Sequence, residues 1–80
     1  MPKPTIKRAI EITLNEYARS ASRAIADSKL AYGANRLAEY HKAHRRAIIE
    51  EAKRDALIET SKRCGFRVAY DESTDTYTLT

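Results

Sequence analysis

The side chains best suited to chemistry in this 80-residue chain are gathered in one stretch, "EYHKAHRRAIIEEAKRD", residues 39–55. His41 and His44 stand three residues apart, and Glu51 and Asp55 follow them. Imidazoles near carboxylates can ligate zinc or pass protons, because a neutral ring nitrogen is both a metal ligand and a base near neutral pH. The spacing argues against both uses. Glu51 lies seven residues beyond His44, about two helical turns, so one helix cannot bring it to a metal shared by both histidines. The Glu-x-x-His pairs of bundle-core di-metal sites are absent. Catalysis lacks its usual sequence frames as well: there is no glycine-rich phosphate loop, no nucleophile elbow and no triad signature. Cys64, the single cysteine, falls at the expected C-terminus of a helix, where the dipole disfavours thiolate. The expectation is a protein that is not an enzyme and takes no metal and no cofactor.

The elements that would carry these residues are punctuated by only two glycines and two prolines. Pro2 and Pro4 precede a periodic segment in which Thr5 can act as N-cap. Ile6, Ile10, Thr13, Leu14, Tyr17, Ala21, Ala24, Ile25, Ser28 and Tyr32 recur at three- and four-residue spacing, which predicts an amphipathic helix over about residues 5–32. Its small residues Ala18, Ala21, Ser22, Ala24 and Ser28 favour close approach of a second helix, since small side chains let two backbones draw together. Gly33 is the breaker, and Asn35 is an expected N-cap for a second helix over about 35–63. So short a turn makes the two helices antiparallel neighbours.

On the second helix, Leu37, His41, His44, Ile48 and Ala52 fall on one side, flanked by Tyr40, Ala47 and Ile49. That side is expected to be the buried stripe, with the histidines in the interface or at its edge. Glu51, Asp55 and Glu59 continue it, and Lys7 of the first helix is a candidate partner for Asp55 or Glu59. Gly65 ends the helix as a C′ glycine does. The period then changes to two: "FRVAY" and "TYTLT" predict strands over about 66–70 and 76–80, joined by the turn-like Glu72–Asp75. The fold class is therefore mainly α with a small β part, a helical hairpin followed by a two-stranded antiparallel β-hairpin, in a single domain over residues 1–80.

Bulk properties narrow the function. A chain of this size buries about 60% of its unfolded surface. With no second cysteine for a bridge, association with another subunit is a natural supplement. A lone thiol fits a reducing, cytoplasmic setting, and no signal segment or apolar run long enough for a membrane span appears. The net charge of +4 is concentrated before residue 65, while the tail carries Arg67 against Asp71, Glu72 and Asp75. Two partner classes follow. The favoured one is a larger protein whose surface the chain occupies as adaptor or inhibitor, through the hairpin residues Phe66, Val68, Tyr70, Tyr77 and Leu79, with a homodimer expected as well. The last strand has no Pro or Lys to blunt its outer edge, so a further strand could pair there. The second class is nucleic acid, its phosphates met by Arg36, Lys42, Arg46 and Lys53. Against it, acids are interleaved with these cations at pairing distance.

Overall fold

The computed structural model describes residues 5–80; Pro2 and Pro4 fall outside them. Helix α1 runs from Ile6 to Gly33, helix α2 from Leu37 to Arg63, and strands β1 (Val68–Asp71) and β2 (Thr76–Leu79) form the C-terminal hairpin. Thr5 caps α1 as its sequence position suggests, its hydroxyl accepting the Arg8 N–H at 3.2 Å. The two helices lie against each other along most of their length, and the whole measures 47 × 26 × 23 Å.

Both helices end in the same way. At the end of α1, Arg36 N–H donates to the Ala31 carbonyl and Asn35 N–H to that of Tyr32, with Asn35 left-handed at φ 59°. At the end of α2, Phe66 N–H donates to Ser61 and Gly65 N–H to Lys62, with Gly65 at φ 92°. These are Schellman terminations, which need one residue in the left-handed region. Asn35 thus closes α1 and does not cap α2, whose N-cap is Arg36 without a side-chain bond. Gly33 is simply the last helical residue.

The seam between the helices is lined by small side chains. Ala21, Ala24, Ser28 and Ala31 of α1 are buried, as are Ala43, Ala47 and Ser61 of α2. Of the small residues of α1 expected in the seam, Ala21, Ala24 and Ser28 are buried and Ala18 is half-buried, but Ser22 is exposed, as are Ile6 and Tyr32 at the two ends of the stripe. On α2 the expected buried face is wrong: Leu37, His41, His44, Ile48 and Ala52 are all exposed. The true inner face is Tyr40, Ala43, Ala47, Glu50, Arg54, Leu57, Ile58 and Ser61, each buried or half-buried. It is turned about 125° from the expected one on a helix of 3.6 residues per turn. Close approach selects alanine; Ile48 in the seam would push the helices apart. Leu57 accordingly points inward.

Large core residues are confined to one end. Leu14 and Leu79 are fully buried, with Tyr17, Leu57, Ile58 and Tyr77 half-buried. The β-hairpin follows the expected register, Val68 opposite Leu79 and Tyr70 opposite Tyr77, around the four-residue loop 72–75. Asp71 organises that loop, its Oδ1 accepting the Ser73 N–H at 2.9 Å and the Ser73 hydroxyl at 2.7 Å. Asp75 closes it in the left-handed region at φ 52°.

The free edge of the hairpin is not the one expected. The Arg67–Thr80 pair exchanges both backbone bonds, so by alternation Tyr77 and Leu79 turn their backbone groups away from β1. Side chains of α1 meet them. The Asn15 amide oxygen accepts the Tyr77 N–H at 2.7 Å, and its nitrogen donates to the Tyr77 carbonyl at 3.1 Å. Glu11 accepts the Leu79 N–H at 3.0 Å. Two polar residues on a helix thus imitate a neighbouring strand, and the outer edge of β2 is closed.

Candidate functional site

The five hairpin residues expected to meet a partner are mostly engaged within the fold. Leu79 is buried, and Phe66, Val68 and Tyr77 are half-buried; Tyr70 is 48% exposed. The Tyr70 ring tilts against Tyr77 at 4.9 Å between centroids. Its hydroxyl donates to the Asp75 carboxylate, and this bond pushes the Tyr70 pKa up to about 12.

Of the four cations expected to meet phosphates, three have carboxylate partners. Arg46 bridges the helices to Asp27 at 2.7 Å, Arg36 pairs with Glu39 at 3.5 Å, and Lys53 pairs with Glu50 at 3.3 Å. Lys53 also lies over the Tyr17 ring, 5.8 Å from its centroid. Lys42 has no ion pair among the described residues. The expected bridge from Lys7 to Asp55 or Glu59 is not formed; Asp55 pairs with its neighbour Arg54 at 3.1 Å.

Several apolar side chains are left uncovered on the distal half of the molecule, near the helix–helix turn. Leu37 and Ile48 are 54% and 55% exposed, one on either side of His41 and His44 along the same face of α2. Aromatic rings join this stripe to the turn. Tyr40 stacks on His44 at 5.6 Å with 17° between planes, lies 5.3 Å from His41, and tilts against Tyr32 of α1 at 5.4 Å. The histidines are thus held as flat, half-apolar surface beside tyrosines. On the outward side of the stripe, Lys42, Arg45 and Ile49 line a shallow groove with His41. No group of three or more His, Cys, Asp or Glu side chains converges among the described residues. Nor is any helix there long and apolar enough to cross a membrane.

The residues of this stripe were visible in the sequence as a periodic set, and their period was real. Size sets them apart from the seam: Ala43 and Ala47, four residues apart as Ala24 and Ser28 are, match it better. No known protein family, curated protein or solved structure matches the chain.

Proposed function

We propose that this chain is a non-enzymatic protein-binding module of the cytoplasm, an adaptor or inhibitor that occupies the surface of a larger protein. The observation that carries this reading is the uncovered stripe Leu37–His41–His44–Ile48 with Tyr40 and Tyr32 beside it. A helix in a small protein is held by the face it buries. α2 has that face already in its alanine seam, so the second stripe lies outside the face that holds the helix and costs solubility. Apolar and aromatic residues of this kind, with cations at the rim, are the usual makings of an interface centre. The complementary surface is an apolar groove or helix face rimmed by carboxylates, to suit Lys42 and Arg45. A free, exposed Cys64 fits a reducing compartment.

The test is a comparison of two baits in lysate of the native host, wild type and a Leu37→Glu/Ile48→Glu variant, followed by reconstitution with the purified partner. A partner bound by the first and lost by the second, with equal melting temperatures and little salt dependence, supports the reading. Retention of the same partner by both baits removes the stripe from consideration. Nucleic acid recovered instead, with affinity falling steeply in salt, replaces it with the polyanion alternative.

A further inference from the structure

The hairpin has one closed edge and one open one. Alternation along β1 turns the N–H and C=O groups of Val68 and Tyr70 outward, and no group among the described residues accepts from or donates to them. Edge strands of this kind pair with other strands unless something blunts them. β2 is covered by Asn15 and Glu11; β1 has no proline, no lysine and no covering side chain.

We infer that β1 docks antiparallel on β1 of a second copy, joining two hairpins into one four-stranded sheet in the order β2–β1–β1–β2. The order of charges along the strand selects both the occupant and the register. With Val68 opposite Tyr70 of the second copy, the two strands exchange four backbone hydrogen bonds: each Val68 N–H donates to a Tyr70 carbonyl, and each Tyr70 N–H to a Val68 carbonyl. Ala69 then faces Ala69 across the two-fold axis. Arg67 faces Asp71 of the second copy, and Asp71 faces Arg67. Sliding the register by two residues either way sets Arg67 opposite Ala69 or Ser73 and loses both ion pairs. A parallel, in-register arrangement brings Arg67 beside Arg67 and Asp71 beside Asp71. Only the antiparallel register centred on Ala69 is self-complementary.

The groups it requires are available. Arg67 is exposed and has no ion pair among the described residues. Asp71 is exposed, and Ser73 meets it at its Oδ1. Opposite charges directly across an antiparallel pair stabilise it, and like charges destabilise it. On the inner face, Val68 and Tyr70 add a β-branched and aromatic pair at each end of the junction. The helices of both copies lie on the same side of the sheet, and the stripe at 37–48 is on the half of α2 away from its core residues Leu57, Ile58 and Ser61. This interface is therefore separate from the partner surface proposed above.

Sedimentation equilibrium of the full chain and two charge variants decides the matter. Wild type is expected to dimerise with a dissociation constant of about 10–100 µM, the range of weak dimers. Arg67→Glu and Asp71→Lys should each weaken self-association at least tenfold, because each sets like charges opposite. Their equimolar mixture should recover it, since both pairs are again opposite in sign. Asp71→Lys also disturbs the turn, so a second probe leaves every side chain intact. Ligating a synthetic segment 64–80 at Cys64, with the Tyr70 backbone nitrogen methylated, blocks the edge without removing any bond within the chain. That protein should melt like wild type and sediment as a monomer. A wild type that stays monomeric at 1 mM (an order-of-magnitude ceiling for specific pairing) overturns the proposal. So does a dimer that survives N-methylation, or a mixture no tighter than its two components. Ile48→Glu should leave the dimer constant unchanged, which keeps this outcome apart from that of the α2 stripe.

Discussion

Glu11 and Asn15 join the two halves of the fold, and each carries a testable energy. Glu11 is buried and still charged, because the Leu79 N–H, opposed by burial and aided by Arg8 at 3.2 Å, holds its pKa below the usual carboxylate value. A depressed pKa means that the unfolded chain takes up the proton first. The stability from Glu11 is therefore present in full above the unfolded value of about 4.3 and disappears as pH falls through the lower, folded value. Glu11→Gln keeps an acceptor for Leu79 but has no proton to bind. Melts from pH 7 to pH 3 should show a smaller acid-induced loss for the variant than for wild type, and parallel curves would contradict this. Asn15 is the only side chain among the described residues that both donates to and accepts from one β2 residue. Asn15→Leu leaves the Tyr77 N–H and C=O facing a side chain that can satisfy neither. The expected cost is about 1–3 kcal/mol in denaturant unfolding.

At the scale of elements, the helix ends were partly legible and the helix faces only half so. Gly65 announced its role because a glycine after Lys62 and Arg63 has few other uses at a helix end. Asn35 reads as an N-cap in the sequence because asparagine suits both the start of a helix and the left-handed residue that stops one. Only the backbone distinguishes them. The α1 stripe could be read directly, since its apolar and small residues coincide on one face. On α2 they separate into two faces, one small and one large. Periodicity cannot rank those; the partner helix does, by how closely it comes. The hairpin register followed from pairing Tyr70 with Tyr77, whereas the capping of β2 by Glu11 and Asn15 spans more than sixty positions and left no local mark. The two terminations also differ in sensitivity. At Gly65 a new Cβ meets no atom within 4 Å, so Gly65→Ala pays only for its backbone at φ 92°. That is about 1–2 kcal/mol, and a drop of several degrees in Tm should accompany it.

For the whole molecule, the β-hairpin is part of the core, because one of its residues, Leu79, is as buried as Leu14. Truncation after Asp71 removes Leu79 and Tyr77 and exposes Glu11 and Asn15 without their partners. The truncated chain should lose helicity by circular dichroism and melt at lower temperature and less cooperatively. A truncated protein with unchanged helicity and melting would show that the helices stand without the sheet.

The confinement of bulky side chains to one end of a 47 Å body also bears on its motions. Near Leu14 and Leu79, opening an amide to solvent means dismantling the core; near the turn, where Ala31, Ala43 and Ala47 fill the seam, it means releasing only methyl groups. Local opening should therefore become easier in steps from the sheet toward residues 33–40. In deuterium exchange, amides around Ser61 and Leu14 should report the free energy of global unfolding, while those of the first turns of α2 exchange through smaller, independent openings. The stripe bearing Leu37 and His41 would then sit on the softest part of the molecule. A ligand bound there should be detected first as slowed exchange around the turn, before any change near Leu14, and uniform protection along both helices would contradict that gradient.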